Sequence, residues 1–416
     1  MRTGGPLSQF IRSSALSIVL MFVAMILFFA MVGLSVELKA DIPDWLLPIP
    51  LVLSVVFRFW AEVRKKRERI QAKERTWAAR DEMTRAAPTP MLPASPSQLA
   101  RLQRTDPAFS IIVFEDFFDF LYAEMHRTRA ASNLDVLGSY LSDAARAALR
   151  SDGRIAEITD IVIGTLAYVD ILVNADGAAT VTVTVESSYV EHYHPGEQHF
   201  FVKEMITLTR AAGARSRTPD KARTLNRPSG TEDWAITTVV LLGRNTLGPI
   251  PTSADAVQRM NAPTMVDPNA HAVFVQIQAR DPTFTWGYLE QRIVLIFQAL
   301  HSHDLARMRP FLSHNSFQSQ LYWADLYRTA ECIHPTDGAH ITFMELASAT
   351  IDAYYDSVTV RVYSSGLDYT TAGDGRLLSG SQQQPRGDTN DWTLIRDTQS
   401  GNDDWILSRI EQIQGV

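Results

Sequence analysis

The stretch YVEHYHPGEQHF, residues 189–200, gathers His192, His194 and His199 with Glu191 and Glu197. Alternate residues of a strand share a face, and imidazole is a ligand for zinc, copper and iron. The first chemistry to weigh is therefore a metal site. The surrounding pattern weighs against it. In AATVTVTVESSYV, Val181, Val183 and Val185 fall on one face and Thr180, Thr182, Thr184 and Glu186 on the other. Continued parity carries His192 and His194 out on the polar face, beside the turn Pro195-Gly196-Glu197, and His199 opens the next strand. Glu197 sits in the turn, away from any strand face. The stretch reads as a solvated hairpin tip, with a metal site built with His199 as the alternative. Cys332 is the one cysteine, which excludes an internal disulfide and a cysteine-built zinc site. No metal ligand, cofactor or catalytic residue is assigned.

Other candidates are weaker. Glu115, Asp116, Asp119 and Glu124 decorate a predicted helix and read as its solvated side. The run HSHD, His301 to Asp304, falls at a helix end, where a cationic imidazole suits the dipole. Trp286, Phe297, Phe311, Tyr322 and Trp323 read as core. The sequence contains no phosphate-binding glycine loop, nucleophile elbow or His-Glu-x-x-His. With 416 residues the chain has room for two or three domains, and its net charge of −7 argues against a general nucleic-acid binder.

Residues 13–36 carry no charge, and about 20 such residues cross a bilayer as a helix. Residues 45–60 are a second apolar stretch, interrupted by Pro48 and Pro50. The segment beyond is basic, with Arg64, Lys65, Lys66, Arg67, Arg69, Lys73 and Arg75, and Arg2 and Arg12 precede the first stretch. Basic flanks stay cytoplasmic. Both flanks do so only if the chain crosses twice. The expectation is a transmembrane hairpin in the inner (cytoplasmic) membrane, with everything after Trp60 in the cytoplasm; a single span would put the rest outside. Arg64, Lys65, Lys66, Arg67 and Arg69 are the expected membrane-surface contact, each worth about 1 kcal/mol near anionic headgroups.

Two proline-bearing spacers, 85–98 and 247–269, separate two blocks that look alike. Both open Asp-Pro-x-Phe, at Asp106 and Asp281, which as aspartate cap plus proline is a helix-start signal. Amphipathic helices follow, with Val113, Phe117, Phe120 and Leu121 on one stripe and Leu289, Ile293, Ile296 and Leu300 on the other. Leu134 then matches Leu305, and Leu141-Ser142 matches Leu312-Ser313, at one constant offset, which points to duplication. Alternating strands close each block. Helices first and antiparallel strands after predict an α+β domain with helices on one face of a sheet.

The opening Asp-Pro-x-Phe, the two helices and the closing pair Trp392-Thr-Leu-Ile-Arg396 and Trp405-Ile-Leu407 resemble the mitochondrial import inner-membrane translocase subunit 44-like family. The resemblance spans 104–242 and 279–414. It implies a variant of the nuclear-transport-factor-2-like cone, a curved antiparallel sheet wrapped by helices, present twice. The first block is also similar to bacterial members in which a stretch like AGARSRTPDKARTL leads into a cysteine-paired zinc ribbon. Here LNRPSGTEDWAITTV follows without cysteine, so the resemblance carries no metal across.

The organisation expected is an anchor at 1–60, a basic juxtamembrane helix at 61–84, a linker at 85–100, a first cone at 101–245, a linker at 246–272 and a second cone at 273–416. The function expected is a non-enzymatic, membrane-anchored scaffold or adaptor, oligomeric or not, that binds a protein, peptide or lipid partner and no nucleic acid. The resemblance implies membrane association and contact with translocating chains. The alternative is an enzyme acting on a small apolar substrate inside one cone, because such folds host proton abstraction by a buried Asp or His; Asp119 and His126 are its candidates.

Overall fold

In the computed structural model, residues 64, 96–131, 133–150, 154–216, 234–246, 248, 266–399 and 404–413 are described. The chain divides into the units Met1–Ala79 and Arg80–Val416. Of the first, only Arg64 is described; it is helical and exposed. The predicted hairpin, Lys65, Lys66, Arg67 and Arg69 lie outside the described residues. Among the described residues no helix is long and apolar enough to cross a membrane.

The first half of the larger unit begins with a 3-10 segment at Pro96–Arg104, then α1 (Ile111–Ala130), a 3-10 turn (Leu134–Tyr140) and the short α2 (Asp143–Leu149). Strands β1 (Ile155–Val173), β2 (Ala179–Tyr193), β3 (Glu197–Arg210) and β4 (Trp234–Asn245) form an antiparallel sheet in that order. The period-two pattern of β2 puts Val181, Val183 and Val185 fully inside, against Phe118 and Leu121 of α1 and Ile206 and Leu208 of β3. Each such side chain contributes about 1.5–3 kcal/mol by leaving water.

The second half has α3 (Ala270–Arg280), α4 (Trp286–His301), α5 (Leu305–Met308) and α6 (His314–Thr329). Its sheet holds β5 (Cys332–Ile333), β6 (His340–Ile351), β7 (Tyr355–Ala372), β8 (Leu377–Asp397) and β9 (Ile406–Gln412), in the order β5-β7-β8-β9 with β6 also on β7. Val358, Val360 and Val362 repeat the valine row, packed under Leu289, Ile293, Ile296 and Trp405. Both halves are thus helices on one face of an antiparallel sheet, an α+β architecture.

The duplication is visible in atomic detail. Leu141 bridges Ile236 and Leu312 bridges Leu407, both in parallel. The Ser142 amide donates to Ile236 O (3.0 Å) and the Ser313 amide to Leu407 O (2.9 Å). Each serine also caps the next helix, accepting from Ala145 N at 3.1 Å and Ser316 N at 3.2 Å. One Leu-Ser pair therefore ties the last strand to a helix start in each half.

The expected helix starts at Asp106 and Asp281 require correction. The caps are Ser110 and Thr285, which accept from Val113 N and Tyr288 N. The aspartates sit a turn earlier and serve the sheets instead. Asp106 pairs with Arg210 of β3, and Asp281 with Arg396 of β8 at 2.5 Å. Phe109 and Phe284, the last residues of the two motifs, are buried beside these pairs. The repeated motif is a strap from the helix start to the third strand of its sheet.

Candidate functional site: a buried polar stripe on α1

Glu115, Asp119, Tyr122, His126 and Arg129 recur along α1 at spacings of four and three, which aligns them on one face. The first four are buried. A polar stripe inside a fold must find partners, because an unpaired buried polar group costs roughly 1–3 kcal/mol. The sheet supplies them from inward-facing rows. Tyr168 of β1 donates to Glu115 at 2.8 Å. Tyr122 donates to Glu204 of β3 at 2.6 Å and lies 2.7 Å from the Ser187 hydroxyl of β2. The His126 Nε2 is 3.0 Å from the same Glu204 oxygen. Arg129 donates to Glu191 of β2 at 3.0 Å, and Arg244 and Tyr193 close on the other Glu191 oxygen.

The electrostatics fix the protonation states. Burial pushes the Glu204 carboxyl up, but His126, Tyr122 and Arg129 outweigh it and hold the group below its ordinary value. Burial and then the Glu204 charge push the Tyr122 hydroxyl well above its usual range, so it remains a donor. The His126 ring packs between Tyr122 and Tyr189, with centroids at 4.6 and 5.0 Å, and its Nδ1 finds no hydrogen-bond partner. Tyrosine, imidazole and carboxylate within reach of one another resemble an acid–base set. His126 and Tyr122 are both 0% exposed, however, so no substrate atom reaches them.

At its other end the stripe meets the second half. Arg409 of β9 reaches Glu115, and Asn315 of α6, with its amide turned to donate, lies 2.7 Å from Asp119 and 3.3 Å from Asp116. The α6 helix crosses the outer face of the first sheet. Tyr322, Trp323 and Leu326 form a small core with Phe201 of β3, flanked by Val162 of β1. A side chain at Gly164 of β1 would collide with the Tyr322 ring. His199 lies 3.2 Å from Asp325 of α6. A cavity of about 240 Å³ opens along this seam, bordered by Ile112, Asp116, His314, Tyr355, Asp397 and Asp404 among others. It is smaller than the roughly 300–1,000 Å³ usual for small-molecule sites.

Repetition shows which parts are particular to the first half. Counting from the caps Ser110 and Thr285, Tyr122 and His126 correspond to Phe297 and His301. Register gives Asn390 the place of Glu204, since Glu204 faces Val185 and Asn390 faces Val362, the third valine of each row. The carboxylate at the centre of the first stripe has no counterpart in the second half.

Comparison with known proteins fits this layout. The segment from α3 to the end of β9, residues 270–412, matches the family of the Tim44-like domain. The first half repeats the Leu-Ser tie, the aspartate strap and the four-strand order of this matched segment. No curated protein matches the chain. A solved structure described as "Ntf2 like protein involved in plasmid conjugation" aligns over 71% of this chain and 92% of its own, at 8% identity and a TM-score of 0.19, too low to transfer any feature.

The histidines of the hairpin tip are drawn apart. His192 turns to Thr159 Oγ1 at 2.9 Å and toward Glu197 at 3.4 Å, His199 turns to α6, and His194 is exposed in the turn. Among the described residues no three His, Cys, Asp or Glu side chains are placed to hold a metal ion. The solvated side expected for α1 is corrected: Glu115 and Asp119 are each 8% exposed, because the second half covers that face. Tyr322 and Trp323 pack at the seam, outside the core of their own half. Glu204, Glu191 and Ser187 carry the stripe, and all three were missed. Their signal is present, since the parity that puts Val181, Val183 and Val185 inside also puts Ser187, Tyr189 and Glu191 inside.

Proposed function

We propose that the chain is a membrane-tethered scaffold whose folded unit holds a protein or peptide partner on its outer surface. The observation that carries this reading is where the apolar surface lies. Both cores are filled by their own side chains, while Val240, Leu241 and Leu242 of β4 and Val294 and Leu295 of α4 are exposed. Tim44-like domains are in general binding modules, which agrees with a surface that recognises and an interior that is closed. The tether is the uncharged segment 13–36 with 45–60, and Arg64, Lys65, Lys66, Arg67 and Arg69 are its contact with anionic headgroups. An enzymatic reading would rest on Tyr122, His126 and Glu204, whose burial denies them a substrate. Alkaline washing of native membranes tests the tether. The full chain stays with the membrane and the chain without residues 1–60 is released; release of the full chain contradicts the reading.

A further inference from the structure

We propose that the exposed face of β4 in one copy of the chain docks on the α4–β6 face of a second copy, repeating between molecules the seam that joins the two halves within one. The inference rests on the scaffold reading and names the partner that its apolar surfaces hold. The internal seam joins unlike faces. The first half contributes Glu115 and Asp119 of α1 and Gly164 of β1; the second contributes Asn315 of α6 with Ser408 and Arg409 of β9. Two like halves joined by unlike faces leave one face of each kind unused, α2 with β4 at one end and α4 with β6 at the other.

Register locates both faces. β1 bulges at Gly164 and β6 at Thr342, and β4 bulges at Thr237 and β9 at Ser408. Thr342 therefore takes the place of Gly164, Thr238 that of Arg409 and Val240 that of Glu411. Counted from the caps, Glu290, Val294 and Leu295 take the places of Glu115, Asp119 and Phe120. Burial differs as it must for an interface used once and left open once. Glu411 and Asp119 are each 8% exposed, whereas Val240 and Val294 are each 37% exposed. Leu241 and Leu242 extend the first open face, and Leu295 and Phe343 the second, all exposed.

The replacements on the two open faces are matched, and this favours a second copy over an unrelated protein. In the seam Asn315 donates to Asp119 at 2.7 Å. On the open faces Ala144 stands for Asn315 and Val294 for Asp119, so both members of the polar pair are replaced together. In the seam Arg409 reaches Glu115 and lies 3.5 Å from Glu411. Thr238 and Val240 replace Arg409 and Glu411, and Glu290 turns its carboxylate to the Trp286 Nε1 at 2.6 Å. Apolar surface thus meets apolar surface, as at the centre of a protein interface. The short α2 ends at Leu149, so Tyr322, Trp323 and Leu326 have no counterpart, and the contact between copies is smaller than the seam. Unlike faces do not close on two copies; the pairing continues as a ring or a row.

The test is thiol cross-linking of the full chain in its native membrane with a short bis-maleimide. The parent chain, whose one cysteine is buried, is the blank. Thr238→Cys and Val294→Cys stand where Arg409 and Asp119 border one cavity in the seam. Two differently tagged chains, one with each cysteine, should link when expressed together, and neither should link to itself when expressed alone. A chain with both cysteines should give a ladder beyond the dimer. Val240→Glu should abolish the mixed link, while Leu172→Glu, exposed on β1, should leave it intact. Absence of the mixed link, self-linking of either single-cysteine chain, or a ladder that stops at the dimer overturns the proposal. An adduct of Leu241 with a different protein, without the mixed link, also overturns it but leaves the scaffold reading standing.

Discussion

Glu204 gathers a tyrosine hydroxyl and an imidazole on one oxygen at 2.6 and 3.0 Å, inside a core where an isolated charge could not persist. Glu204→Gln breaks a buried network, and urea denaturation should register a loss of about 3 kcal/mol. Lys203→Ala, which removes the half-exposed partner of Glu186, should cost under about 1 kcal/mol in the same assay. The pH dependence follows from the same groups. Glu204 is held below its ordinary value, and so is Asp106, where burial is outweighed by Ser216 and Arg210. Such groups stabilise above the unfolded carboxylate value, and their contribution is lost as pH falls through the folded one. Denaturation midpoints should therefore drop in acid, and Glu204→Gln should flatten that drop; an equal drop in the variant would remove Glu204 as its source. These residues were half legible in the sequence. Strand parity was clear along Val181, Val183 and Val185, and it extends to Glu191 without a break, because β2 pairs β3 in one continuous register. A carboxylate on an inward row is invisible to a reading that equates charge with solvent, since its partners come from a helix more than sixty residues away.

The elements were more legible than their ends. Period-two strands, amphipathic helices and the Leu-Ser match all correspond to structure, because each is enforced locally by burial on one face. The helix starts were misplaced by a turn, because Asp106 and Asp281 meet the capping rule in sequence while long-range arginines claim their carboxylates. The covering of α1 by α6 was not legible, since it depends on one half packing on the other. Ser142→Ala and Ser313→Ala should each cost about 1 kcal/mol as lost caps. Either serine keeps its amide on the last strand, so the sheet should survive, as strand amide exchange will show. Gly164→Val probes the packing of the halves instead. The added branch meets the Tyr322 ring, so exchange protection in α6 should fall while that in α4 holds. Equal protection in both helices would mean that Tyr322 is not pressed on β1.

On the scale of the whole molecule, the proposed function divides the labour between a basic segment beside the proposed anchor and a folded unit beyond a proline-bearing spacer. Exposed charges act over about 8 Å at physiological salt, a range that would reach lipid headgroups beside the proposed anchor. A peptide of residues 58–75 should bind anionic vesicles and lose that binding as salt rises; binding indifferent to salt would reject the electrostatic contact. A reporter active only outside the cytoplasm, fused after Val416, should stay silent, and activity there would favour a single span. The scaffold claim itself is tested most directly by photocrosslinking the full chain in its native membrane, with the reactive residue placed at Leu241, Leu295 or, as a control, the buried Leu326. The account predicts one discrete protein adduct from Leu241 or Leu295, absent from Leu326 and diminished when residues 1–60 are removed. No adduct from either exposed site, or equal adducts from all three, would contradict it.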